Sequence, residues 1–206
     1  MPNRSLPKKR VRSGPGFSLV ELLVVVAFLT LTFLAVPTIQ STITSHRLTS
    51  AGNRLTALME QARIHATVTQ KVVALRFYAE PDAGAGSGFR AVRLFELTPP
   101  PGPSGADLLA TALTRTFRLE EPLLISGVHS PLLQDAALVS GIETDAANIG
   151  LTYREVYFFP DGSTSLQAAS PNPYLTVVNR SDQDTLKNPM VVSLDPLTAR
   201  TTLFQR

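Results

Sequence analysis

The chain has 206 residues, with 19 Lys and Arg against 16 Asp and Glu, and it contains no cysteine and no tryptophan. The lack of cysteine excludes disulfides, thiol nucleophiles and thiolate metal sites. Five of the basic residues precede residue 17 and no acidic residue does, so the rest of the chain carries 14 minus 16, or −2. The basic character therefore belongs mostly to the N-terminal leader, and it does not argue for a nucleic-acid partner.

An apolar segment at residues 17–36 follows this leader, and its one charged residue is Glu21. Twenty residues are the length that crosses about 30 Å of hydrocarbon as a helix. Thr30 and Thr32 are compatible with such a helix because a threonine hydroxyl can donate to a carbonyl of the preceding turn. Basic residues before the segment predict that the leader stays in the cytoplasm. A carboxylate inside hydrocarbon costs about 2.5–3.5 kcal/mol, which indicates that Glu21 needs a partner.

The junction of the leader and the apolar segment reads Gly16-Phe17-Ser18-Leu19-Val20-Glu21. Gly, then Phe, then an apolar stretch with glutamate at its fifth position resembles the type III signal of prepilins and pseudopilins. The resemblance implies that prepilin peptidase cuts between Gly16 and Phe17 and methylates the new N-terminal amine of Phe17. It also implies that the Glu21 carboxylate pairs with that amine, in the same or a neighbouring subunit, during fibre assembly. From the residues alone, a neutral Glu21 near the cytoplasmic interface stays open.

Four parts are predicted along the chain: a cleaved leader at 1–16, a transmembrane helix at 17–37, an amphipathic helix at 38–70 and a β-rich head at 71–206. Pro37 predicts a kink or a local break, because proline removes one helix hydrogen bond. Beyond it, apolar residues recur at steps of three and four, which predicts a helical stripe that packs on the sheet of the head. The stripe consists of Leu48, Ala51, Leu55, Leu58, Met59, Ala62 and Ala66.

Alternation of apolar residues predicts the strands of the head. The clearest segments are residues 71–78, 89–97, 154–159, 174–179, 190–194 and 201–204. The first two are expected to form one hairpin across a Gly-rich turn, with residues 89, 91, 93, 95 and 97 on one face of the second strand, and the last two a closing hairpin. Shorter strands are expected at 114–119 and 123–126, a proline-rich linker at 99–105, and a helical turn in an insertion at 130–150. The predicted fold class is α+β, a long N-terminal helix packed on an antiparallel sheet.

Three parts of the head resemble the GspH/FimT-type minor pseudopilins: the helix-to-sheet passage at 55–66, the turn at 159–163 and the closing hairpin at 191–200. That family commonly has glycine where Ala199 stands. The ending at 195–198, together with the proline-rich insertion, resembles the branch called Verru_Chthon cassette protein D. The fold that these resemblances imply is pilin-like.

The function that the resemblance implies is a non-enzymatic subunit of a type II secretion pseudopilus or a type IV pilus-like fibre. Such a subunit is first a single-pass protein of the inner membrane with its head in the periplasm. The implied partners are prepilin peptidase, other pilins or pseudopilins, an inner-membrane assembly platform and membrane lipid.

Two other function classes stay open. A DNA-binding minor pilin for DNA uptake needs a basic patch on the head; the net charge of −2 opposes it, and Arg200 and Arg206 leave an opening. A membrane-tethered hydrolase or carbohydrate binder has no nucleophile–base constellation in its favour.

Other candidate sites are weaker. No cofactor is expected, and the scattered His46, His65 and His129 are not expected to be ligands. The one metal hypothesis is calcium, which takes six to eight oxygen ligands. Its candidate ligands are Asp182, Asp184 and Asp195, and solvated loop charges are the preferred interpretation.

Overall fold

The computed structural model describes residues 18–79, 88–98, 109–144, 150–167, 173–183 and 185–205, without the side chains of 33–42. The chain divides into two units between Ile43 and Thr44. The helices are α1 (Leu19–Thr69) and α2 (Pro131–Gln134), and a 3₁₀ turn covers Arg180–Asp182. The strands are β1 (Val72–Ala79), β2 (Gly88–Thr98), β3 (Leu109–Ala112), β4 (Phe117–Arg118), β5 (Leu123–Ser126), β6 (Val139–Thr144), β7 (Gly150–Phe158), β8 (Tyr174–Asn179), β9 (Met190–Leu194) and β10 (Thr201–Gln205).

The ten strands form one antiparallel sheet in the order β10-β9-β8-β5-β2-β1-β7-β6. The long strand β2 pairs with β1 along one edge, and along the other edge it pairs in turn with β5, β4 and β3. The two predicted hairpins are confirmed: Leu75 lies opposite Leu94 in β1–β2, and Val192 lies opposite Leu203 in β9–β10. The predicted fold class, a long N-terminal helix with an antiparallel sheet, is confirmed.

The second unit holds its helix, residues 44–69 of α1, against one face of the sheet. The predicted stripe is buried there, except for a partly buried Leu58, and it packs with Leu75, Phe77 and Val92 in one cluster. The helix and sheet approach closely at Gly52, where a Cβ atom would lie 2.7 Å from Cγ of Met190. A side chain at this position would therefore force the Met190 and Leu203 side chains or the helix to shift.

One face assignment in β2 is wrong. Residue 89 was expected to share a face with residues 91 and 95, but Phe89 packs in the main core while Ala91 and Phe95 belong to a second cluster on the opposite face. The cause is a β-bulge: Tyr78 pairs with Ala91, and the next residue of β1 pairs with Phe89. Such a bulge places two residues opposite one, which reverses the side-chain alternation beyond it.

Other segments also differ from the expectation: the strand expected at 154–159 is β7, which begins at Gly150 and ends at Phe158, and β3 was not predicted. The strand expected at 114–119 forms only at Phe117–Arg118, because the Thr114 hydroxyl accepts from the backbone N–H of Leu94 and takes the place of a ladder bond. In the insertion at 130–150, the expected helical turn is α2, but the strand β6 was not predicted. All six of its residues are exposed or half-buried, so they carry no clear apolar alternation.

The turns follow the expected chemistry. Gly162 has φ +86°, and the Asp161 carboxylate accepts from the backbone N–H and the hydroxyl of Ser163. Ala199 has φ +49°, the left-handed region that favours glycine. This conformation gives a physical reason for the glycine that the resembled family has at this position.

Helical structure continues through Pro37, where the sequence predicted an interruption. One lost hydrogen bond does not end a helix whose flanking turns keep theirs. The predicted turn at 81–87, the proline-rich linker at 99–105 and Asp184 lie outside the described residues.

We expect Glu96 to contribute to acid sensitivity. Hydrogen bonds from Lys71 and then from His65 hold the pKa of the Glu96 carboxyl below its ordinary value of 4.5. A carboxyl whose pKa is lower in the folded state stabilises the fold fully above its unfolded pKa, and this contribution is lost as the pH falls through the folded pKa. The free energy of unfolding of wild type and of Glu96→Gln can be measured by denaturation at a series of pH values. The two free energies should differ above about pH 4.5 and approach each other as the pH falls below it. Parallel curves over that range would contradict the assignment.

Candidate assembly site

The first helical turn is built around Ser18 and Glu21. The Ser18 hydroxyl accepts from the backbone N–H of Glu21 at 3.2 Å, and the Ser18 carbonyl accepts from the N–H groups of Glu21 and Leu22 at 3.0 and 3.1 Å. Ser-x-x-Glu at a helix start is the capping-box pattern, and a carboxylate in the first turn is favourable to the helix dipole. Glu21 thus lies at the start of α1, where its charge also stabilises the helix.

The helix that follows is apolar and uncovered in its own unit. All residues from 18 to 32 are exposed, and the large apolar side chains range from 80% exposure at Leu19 to 47% at Val24 and Val25. A helix of an ordinary globular domain would bury one stripe of such residues. Exposed apolar area of this extent marks a surface that lipid or other protein covers.

The polar groups of this segment are few, and two of them are satisfied within the helix. Thr30 donates its hydroxyl to the carbonyl of Ala27 at 2.9 Å, and Thr32 donates to Phe28 at 2.8 Å. The expected back-bonding of the threonines is confirmed. Glu21 is the one charged residue in the sequence between residues 18 and 32.

The predicted cleavage site lies outside the described residues, because Gly16 and Phe17 precede Ser18. In the described part of the chain, no helix combines the length and hydropathy needed to cross a membrane. The span predicted at 17–36 extends beyond that part: residue 17 is not described, and neither are the side chains of 33–36. The span and the cleavage site stay predictions.

In the head, a polar cluster lies on the sheet face opposite α1. Arg76 donates from Nε to Glu155 at 2.6 Å and from a terminal nitrogen to Glu143 at 3.0 Å. Its guanidinium lies 4.4 Å from the ring centres of both Phe95 and Tyr153. The side chain of Glu155 is only 3% exposed. The cluster is a buried ion pair between aromatic rings.

The electrostatics of this cluster stabilise charged Arg76 and neutral tyrosines. Burial alone would lower the pKa of Arg76, but hydrogen bonding to Glu155 and the charge of that carboxylate outweigh it and raise the pKa. Burial raises the pKa of Tyr78 and of Tyr157, and the hydrogen bonds that they donate to Glu143 and Glu155 raise it further. The phenols are held as hydrogen-bond donors to the two carboxylates, so this arrangement supports the sheet.

The remaining candidates from the sequence are the histidines and the aspartates of the calcium hypothesis. His65 lies 3.1 Å from the Glu96 carboxylate, while His46 lies on the exposed side of α1. The Asp195 carboxylate accepts from the N–H of Leu197 and from the hydroxyl and N–H of Thr198, which closes the β9–β10 turn. Among the described residues, no three acidic or histidine side chains are grouped as a metal site.

No protein-family model matches the chain, and no curated protein sequence matches it. Among solved structures, it is similar to the type IV minor pilin FimU of Pseudomonas aeruginosa, at 14% identity over 77% of this chain and 89% of FimU, with a TM-score of 0.42. It is also similar to the minor pseudopilin EpsH of the Vibrio cholerae type 2 secretion system, at 10% identity over 78% of this chain and 96% of EpsH, with a TM-score of 0.43. The similarity concerns the fold.

The sequence indicated Glu21 as a candidate residue, but the interpretation of the sequence did not include the cap at Ser18 or the cluster around Arg76. The cap at Ser18 was readable as Ser-x-x-Glu, although it lies inside an apolar segment that invites a membrane interpretation first. The Arg76 cluster carried no such signal, because Glu143 and Glu155 are far from Arg76 in sequence.

Proposed function

We propose that this chain is a non-enzymatic, pilin-like subunit of a type II secretion pseudopilus or a type IV pilus-like fibre. Prepilin peptidase cleaves it between Gly16 and Phe17 and methylates Phe17. The chain is held in the inner membrane by residues 17–36, with its head in the periplasm, until an inner-membrane platform lifts it into the fibre.

The observation that carries this proposal is the uncovered apolar helix with one carboxylate in its first turn. The exposed residues 19–32 need an apolar environment, and both lipid and a bundle of identical helices supply one. Transfer from bilayer to fibre therefore does not require these side chains to enter water. Glu21 lies in the first turn of α1, from which a glutamate side chain can reach back to the main chain before the helix.

Glu21 has a specific task in this scheme. Cleavage creates an amine at Phe17, and an amine and a carboxylate attract each other strongly where the surroundings are apolar. An unpaired carboxylate in that environment is costly, so a neighbouring subunit that brings an amine is favoured. The head contributes no reaction in this scheme, and its GspH/FimT-like features favour a minor subunit that caps or initiates the fibre.

Replacing Glu21 with alanine is expected to leave cleavage intact and to reduce incorporation into fibres by at least about tenfold, the effect of losing roughly 1.4 kcal/mol of pairing. Cleavage is read from the mobility of the chain, and incorporation from the amount of chain in sheared fibres.

The control is Ser18→Ala. It removes the cap of the first turn, at a cost of about 1 kcal/mol in helix stability, but keeps the carboxylate. If charge pairing is the task of Glu21, Ser18→Ala enters fibres and Glu21→Gln does not. Equal incorporation of Glu21→Ala and wild type would refute the pairing.

A further inference from the structure

The second strand of the head has a break along the edge that it shares with β3 and β4. Between those strands, Thr114 forms the hydrogen bonds to β2: its hydroxyl accepts from the N–H of Leu94, and its carbonyl accepts from Nε of Arg93 at 3.2 Å. Arg115 and Thr116 are consequently exposed outside the ladder. Breaks of this kind redirect side chains away from a sheet edge.

Four arginines lie around this break without a carboxylate partner among the described residues. They are Arg54, Arg93, Arg115 and Arg118. Two of them are held on aromatic rings: Arg54 lies 4.9 Å from the ring centre of Phe117, and Arg93 lies 5.1 Å from that of Phe95. By contrast, Arg47, Arg63, Arg76 and Arg90 each form an ion pair with a glutamate.

Two clefts lie on opposite faces of the sheet and meet at Thr116, which lines both. One, of about 420 Å³, contains Arg93 and Arg118 beside Ala91 and Leu151. The other, of about 310 Å³, contains Arg54 and Arg115 beside Leu58 and Phe117. Each cleft therefore combines two guanidinium groups with apolar side chains. The first cleft also contains one carboxylate, that of Glu143, which is already bound by Arg76 and Tyr78.

We infer that this pair of clefts is a docking surface for an acidic segment of a partner protein. Guanidinium groups bind carboxylates through two parallel hydrogen bonds, and arginine held on an aromatic ring loses less freedom on binding. Arginine and aromatic residues are enriched where protein partners bind. Carboxylates of the partner fit the four arginines, and small apolar side chains between them fit the apolar walls.

The same residues fit a nucleic acid less well. Phe117 in the second cleft lies under Arg54, and Tyr78 in the first cleft is only 5% exposed and lies 6.0 Å from the ring of Tyr153. Neither ring therefore offers an open face to a base. Glu143 in the first cleft and the exposed Glu120 and Glu121 after β4 oppose a continuous row of phosphates. A protein segment can place its carboxylates selectively, whereas a phosphate backbone cannot. This inference is independent of the proposed fibre assembly.

The test uses the full chain in a mild non-ionic detergent and three labelled probes: a peptide of alternating glutamate and alanine, the same peptide with glutamine, and a short DNA duplex. Binding is followed by fluorescence anisotropy at physiological salt. The glutamate peptide should bind, and the double variant Arg115→Gln/Arg118→Gln should weaken it by at least about tenfold, the least effect expected for a lost charge-assisted contact. The exposed Arg200→Gln is the matched control and should leave affinity unchanged.

A second variant tests whether the loss of binding in the double variant is caused by misfolding. Thr116→Glu adds a carboxylate to the wall that the two clefts share, and it should also reduce binding of the glutamate peptide. The inference is overturned if the glutamate peptide does not bind, if the glutamine peptide binds equally, or if Arg200→Gln causes the same loss. Tighter binding of the duplex, lost in the double variant, would assign the surface to nucleic acid instead.

Discussion

Replacing Arg76 with methionine is expected to lower the free energy of unfolding of the head by about 3–5 kcal/mol. Methionine keeps much of the packing between Phe95 and Tyr153, but it leaves the carboxylate of Glu155, 3% exposed, without its cation. An uncompensated buried charge costs far more than the net contribution of the ion pair itself. The loss therefore measures burial of Glu155 and not the strength of a surface salt bridge.

Two comparisons separate charge from packing. Arg76→Met combined with Glu155→Gln removes both charges and keeps an acceptor for Tyr157, so it should recover part of the stability lost in the single variant. Arg54→Met also removes an arginine from an aromatic ring, that of Phe117, but Arg54 has no carboxylate partner among the residues that the structure describes. This variant should cost less than about 1 kcal/mol. Equal losses for Arg76→Met and Arg54→Met would contradict the buried-pair account.

Replacing Leu55 with alanine is expected to destabilise the head by about 2–5 kcal/mol. Leu55 is 1% exposed at the centre of the helix stripe, where it packs against the sheet in the main cluster. Truncation there loses buried apolar area and leaves a cavity, because a sheet of paired strands cannot close over the gap. Helix propensity changes little, since leucine and alanine are both good helix formers.

The matched control for Leu55 lies on the same helix. Ile64 is 54% exposed, and its replacement by alanine should change stability by less than about 0.5 kcal/mol. Denaturant unfolding can be followed by tyrosine fluorescence, which reports on the head alone: the chain has no tryptophan, and its four tyrosines are all beyond residue 70. Similar losses for both variants would show that the stripe does not hold the helix on the sheet.

Periodicity predicted most of the head because each of those elements buries one face. The three- and four-residue steps from Leu48 to Ala51 and Leu55 indicated which side of α1 meets the sheet. The alternation in β1 placed Val73, Leu75 and Phe77 on the same core. Strands β8 and β9 were predicted with the bounds that they have, since a proline precedes each strand and a charged residue follows it.

The parts that sequence missed depend on contacts between distant residues. The bulge opposite Tyr78 moves Phe89 to the other face, and nothing local in the alternation of β2 indicates it. A single arginine in a strand, such as Arg76, suggests a solvent-exposed position when only the sequence is known. In the fold, Glu143 of β6 and Glu155 of β7 lie beside it and form ion pairs with it. The capping of Glu21 by Ser18 is the exception: it was missed although it is local and could be read from the Ser-x-x-Glu spacing.

The most direct test of the proposed function is the mass and N-terminal residue of the chain isolated from cells that contain the matching peptidase. The account predicts a chain that begins at Phe17 with a methylated amine and lacks all sixteen preceding residues. A chain that still begins at Met1, or one cut elsewhere than between Gly16 and Phe17, would contradict it.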